Sequence, residues 1–77
     1  MNVVVNNLAV CTLYIPENIQ HKNDVKCKTE RLSRLLKRLG LELRLVVDPA
    51  ITKLALVTPF GVFEDEEIDI LIRQLEG

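Results

Sequence analysis

Apolar and polar positions along this chain follow two different rhythms. In the run LELRLVVD, Leu41, Leu43, Leu45 and Val47 fall on one side and Glu42 and Arg44 on the other. Successive side chains of a strand point to opposite faces, so this period of two predicts a strand with one face wet at its start. Between Val25 and Leu39 the period lengthens. Steps of about 100° gather Val25, Leu32, Leu35, Leu36 and Leu39 into one arc, the pattern of an amphipathic helix. Asp24 is placed to cap its start, and Gly40 to end it as the residue that turns left-handed.

The flanking segments extend this scheme. Val3–Val5 and Leu8–Ile15 are apolar and β-branched, separated by Asn6-Asn7, which suits a tight hairpin turn or a bulge in one long strand. Pro16 should stop that strand, and a surface loop should lead to the helix. Asp48-Pro49-Ala50 reads as a turn. The next run, ITKLALVT, is apolar on both faces by its end, so it should be a central or covered strand that Pro59 terminates. The residues PFGVF read as a short loop. A last helix is expected over Asp65–Leu75, with Glu64 as cap, Glu67 completing a capping box, and Phe63 and Ile68 stapled across its first turn. Its core face would be Ile68, Leu71, Ile72 and Leu75.

The expected order is (β)βαββα. It predicts one small α+β domain spanning residues 1–77, a two-layer sandwich of three or four strands with both helices packed on one face. A chain of 77 residues buries only roughly 60% of the surface it exposes when unfolded. Against that small core stand 13 Leu, 9 Val, 6 Ile and 2 Phe. Some of these side chains should remain on the surface of a monomer, and a contiguous apolar patch usually marks a partner. Small domains without metals or disulfides also gain stability by oligomerising. A homo-oligomer or a protein partner is therefore expected.

Two apolar residues stand out as candidate protein-binding positions. Ile70 lies opposite the core arc of its helix, among Glu66, Arg73 and Gln74, and Phe60 sits in the preceding loop. Apolar anchors ringed by polar residues carry much of the binding energy at interfaces.

Charge adds an alternative. The net charge is −1, but residues 21–44 hold eight Lys/Arg against three acids, and residues 45–77 hold two against seven. Arg31, Arg34, Lys37 and Arg38 lie on the polar side of the first helix, where guanidinium groups can grip phosphates in pairs of hydrogen bonds. Nucleic-acid binding through this face is the alternative function. Part of the pattern has an ordinary explanation. Lys37 and Arg38 suit the negative end of the helix dipole, and Glu30 can pair with Arg34 one turn away. No aromatic residues interleave with these charges to stack bases.

Other chemistry finds little support. The acidic run Glu64–Glu67 suits a helix start, and Asp69 can pair with Arg73, so a cation shared by Asp65 and Asp69 is not needed to explain it. Cys27 lies on the polar side of the first helix beside Lys26 and Lys28, with His21 in the loop before it, whereas Cys11 alternates with core residues of its strand. Both cysteines read as reduced thiols of a cytoplasmic protein. The sequence has no phosphate-binding loop, dinucleotide, esterase or metalloprotease motif, and one His with two scattered Cys does not build a zinc site. No catalytic, cofactor-binding or metal residues are expected, and no small-molecule substrate. The apolar N-terminus lacks a basic leader and holds three asparagines, so neither a signal peptide nor a membrane span is expected. The expectation is a non-enzymatic protein-interaction or regulatory accessory module that self-associates.

Overall fold

A computed structural model describes residues 10–19 and 22–77. The expected strand at residues 3–5 and the Asn6-Asn7 turn lie outside the described residues. The elements are β1 (Val10–Pro16), α1 (Lys22–Arg38), β2 (Glu42–Asp48), β3 (Ala55–Thr58), β4 (Gly61–Glu64) and α2 (Asp65–Glu76). They form a four-stranded mixed sheet in the order β2-β1-β3-β4. β1 and β2 are parallel and joined through α1, while β1–β3 and β3–β4 are antiparallel. The architecture is the expected α+β sandwich with both helices on one face.

The ladders fix which side chains share a row, because directly opposite residues point to the same face. On the helix side runs the row Leu45–Leu13–Leu56–Phe63, flanked by Leu43–Cys11 and Val47–Ile15. Cys11, Leu13, Leu54 and Leu56 form one buried core with Leu32, Leu35 and Leu36 of α1 and Ile68 and Ile72 of α2. On the other side run Arg44–Thr12–Val57–Val62 and Val46–Tyr14–Ala55–Glu64. No element among the described residues covers that side.

Local chemistry accounts for the helix ends. Gly40 has φ +79, and its N–H donates to the Lys37 carbonyl at 3.0 Å while the Leu41 N–H reaches the Leu36 carbonyl at 2.9 Å. These two bonds satisfy the last carbonyls of α1, and glycine takes the left-handed φ without a Cβ penalty. Leu41 is half-buried against the core that contains Leu36, the apolar contact that accompanies this ending. At the start of α2 the Glu64 N–H donates to the Glu67 carboxylate at 3.1 Å, part of the expected capping box, which is present there. Phe63 packs on the core that contains Ile68, as the staple requires.

Four expectations need correction. α1 begins at Lys22, so Asp24 lies in its first turn and not at the cap, where a carboxylate still favours the helix dipole. Leu39 follows the last helical residue and is exposed, outside the arc that continued periodicity would give it. Residues 51–54 are not part of β3; there the Leu54 N–H donates to Asp65 Oδ1 at 3.3 Å instead of to a strand. The PFGVF segment is not all loop. Thr58 Oγ1 accepts the Phe60 N–H at 3.0 Å and donates to the Gly61 carbonyl at 2.9 Å, and Gly61 at φ +141 opens β4. A tight turn supplied by one threonine and one glycine thus converts the expected loop into a hairpin.

Candidate protein-interaction surface

The basic face of α1 is partly consumed inside the domain. Arg31 Nε donates to Glu76 Oε2 at 3.0 Å and Arg31 Nη2 to Glu76 Oε1 at 2.8 Å, a two-point grip on the end of α2. Lys28 Nζ binds Asp69 Oδ1 at 2.8 Å. The opposite charges of the two helices therefore meet within one chain. Neither the Glu30–Arg34 nor the Asp69–Arg73 pair expected along single helices is found among the described residues, and Asp69 turns to Lys28 in place of Arg73. Arg34, Lys37 and Arg38 are exposed and make no ion pair among the described residues.

Between the helices lies a shallow cleft of about 300 Å³, lined by Asp24, Cys27, Lys28, Arg31, Asp69 and Arg73 among others. The Lys28–Asp69 ion pair lies along it, and the buried Ile72 contributes to its lining. Cys27 is exposed at its edge, and His21 lies outside the described residues. Cys11 is fully buried, and desolvation pushes its thiol pKa up, so the thiol stays neutral. Among the described residues no group of His, Cys, Asp and Glu could hold a metal ion. None of their helices is long and apolar enough to cross a membrane.

The apolar surface is more extensive than the two residues expected from sequence. Phe60 is 81% exposed at the tip of the β3–β4 turn, and Ile70 is 51% exposed on the outer side of α2. They stand on different elements, and no described cavity is lined by both. Two further apolar tracts are exposed elsewhere on the described surface. One is the uncovered sheet side, where Val10, Val57 and Val62 are exposed and Tyr14 and Val46 half-buried. The other follows β2, where Leu45 and Val47 point to the helix side yet remain 52% and 61% exposed.

The second tract borders a groove of about 450 Å³ between α1 and β2. Ile15, Ile19, Val25, Leu45 and Val47 make its apolar lining, and Lys22, Lys26 and Glu30 stand at its rim. The alternation in LELRLVVD places all these β2 residues on one face, but it does not reveal that the helix layer stops short of the sheet edge. The alternating strand positions that make up the uncovered side carried a weaker signal, since Val10, Tyr14, Val57 and Val62 are scattered over three strands. Only the register gathers them.

No protein-family model matches the chain, and comparison with the curated proteins and with the solved structures gives no match.

Proposed function

We propose that this chain is a small cytoplasmic protein-interaction module, a non-enzymatic accessory or regulatory subunit that associates with itself. One observation carries the proposal. Eight large hydrophobic residues are exposed among the described residues: Val10, Leu39, Leu45, Val47, Val57, Phe60, Val62 and Ile70. Three of them lie on the uncovered side of the sheet and two along β2, so most of this surface is grouped. Grouped apolar surface is what a soluble monomer avoids and an assembling subunit needs.

Sedimentation velocity over a micromolar dilution series tests the proposal. A concentration-dependent shift from monomer to a defined oligomer is expected, and a strict monomer throughout that range overturns it.

The alternative, nucleic-acid binding, narrows to Arg34, Lys37 and Arg38, because the guanidinium of Arg31 already holds Glu76. Three neutralised phosphates on a duplex correspond to a log–log salt slope of about −3. A measured slope near that value, reduced by Arg34→Ala, would favour this alternative over self-association as the primary role.

A further inference from the structure

β2 is one of the two edges of the sheet, and its outer backbone groups have no ladder partner among the described residues. An unpaired edge is a template for another strand unless charge, proline or a bulge protects it. β2 spans seven residues against four for the other edge, β4. Its charges, Glu42, Arg44 and Asp48, all lie on the uncovered side. On the helix side the edge presents only Leu43, Leu45 and Val47, and the last two open onto the apolar groove beside α1.

We propose that β2 pairs antiparallel with β2 of a second copy, about a two-fold axis through Val46, joining two sheets into one of eight strands. The proposal rests on the self-association reading and names its contact. Opposite residues share a face, so both helix layers stay on one side only if the axis passes through a residue. An axis between residues sets the apolar row of one copy against the polar row of the other. Axes through Glu42 or Arg44 oppose each charge to itself. An axis through Leu45 faces Glu42 with Asp48, and one through Val47 faces Val46 with Asp48 and Leu45 with Pro49, which has no N–H to give. An axis through Leu43 pairs Glu42 with Arg44 but sets Val46 against Gly40, where the chain turns at φ +79.

Over residues 44–48 the axis through Val46 matches every pair, and Pro49 ends the ladder there. Val46 meets Val46, Leu45 of each copy meets Val47 of the other, and Arg44 of each copy meets Asp48 of the other. Opposite charges and apolar pairs directly across strands both stabilise a ladder. The two most exposed apolar residues of the strand become each other's cover, at the mouth of the groove. Asp48 already accepts the Ala50 N–H at 2.9 Å through Oδ1, which leaves its second oxygen for Arg44 of the other copy.

Site-directed crosslinking tests the register. In the full chain carrying Cys27→Ser, Val46→Cys places a thiol on the axis, and Leu43→Cys places one on the competing axis. On mild oxidation Val46→Cys is expected to give a covalent dimer and Leu43→Cys little or none. As a second measurement, Arg44→Asp should weaken the dimer at least tenfold in sedimentation, while Glu42→Arg, which lies beyond the five paired residues, should not. Crosslinking at position 43 in place of 46, or a dimer that gives no crosslink at 46 and ignores Arg44→Asp, overturns this contact and leaves self-association standing. A chain that is monomeric and uncrosslinked overturns both.

Discussion

Leu13 and Leu45 stand opposite each other in the parallel β1–β2 ladder, yet Leu13 is 1% exposed and Leu45 52%. They belong to the same row on the same side of the sheet, so the difference is one of cover and not of orientation. Full burial of a leucine is worth roughly 1.5–3 kcal/mol. About half of that remains unclaimed at Leu45 in a single copy, and association can collect it.

The contrast gives the first prediction. Leu13→Ala leaves a void among fully buried side chains and should cost roughly 2–5 kcal/mol, enough to unfold much of a small domain. Leu45→Ala should cost less than about 1 kcal/mol in dilute solution, where the monomer dominates. At higher concentration it should lower the urea midpoint further, because the oligomer loses a contact that the monomer never had. Urea unfolding at two protein concentrations, followed by circular dichroism, measures both effects.

The second prediction concerns Arg31 and Glu76. Their side chains are 52% and 36% exposed, so solvent screens the pair even though its geometry is two-pronged. A double-mutant cycle with Arg31→Ala and Glu76→Ala should return a coupling of about 0.5–1 kcal/mol that shrinks in high salt. The cycle also tests whether Arg31 is tied to α2 in solution. Zero coupling at low salt would return this guanidinium to the exposed basic face.

Long, strongly periodic segments were legible from the chain itself. The leucines of α1 have no alternative period, and both helices and β2 emerge within a few residues of their observed ends. β4 was not legible, because a four-residue strand holds only two residues per face, too few for a rhythm, and Gly61 beside Phe60 resembles a loop. Ile70 was legible as exposed because it breaks the arc of α2. Leu45 and Val47 carried the opposite message. Their alternation is that of core residues, and only the place of β2 at the sheet edge, a property of strand order, leaves them uncovered. Arg31 was misleading for a similar reason, since its partner is 45 residues away and no local spacing reveals it.

The two glycines at positive φ should differ in what they tolerate. Gly40 at φ +79 is near the left-handed well, so Gly40→Asn should be mild and Gly40→Ala should cost about 1 kcal/mol. Gly61 at φ +141 lies outside that well, so Asn offers no relief there. A Cβ meets nothing within 4 Å at either site, so the cost is conformational and not steric. Both Gly61→Ala and Gly61→Asn should cost about 1–3 kcal/mol. Thermal unfolding of the four variants should rank Gly40→Asn as most stable and the two Gly61 variants as least.

Cys11 and Cys27 divide the thiol chemistry of the chain between an inert and an accessible group. Under native conditions a thiol reagent should label Cys27 promptly and reach Cys11 only through unfolding, so the slow phase reports the opening of the core. Burial raises the Cys11 pKa above that of the unfolded chain. The unfolded state therefore loses the thiol proton first and binds fewer protons than the native state as pH climbs. The resulting contribution is fully present below the unfolded thiol pKa and is lost as pH rises through it towards the higher folded value. Stability should thus be flat in this respect near neutrality and fall in the alkaline range. Cys11→Ala removes the titrating group, and the difference between its pH–stability curve and that of the unaltered chain isolates the effect from tyrosine and lysine. A difference that stays constant from neutral to alkaline pH would mean that Cys11 ionises as readily in the fold as outside it, contrary to its complete burial.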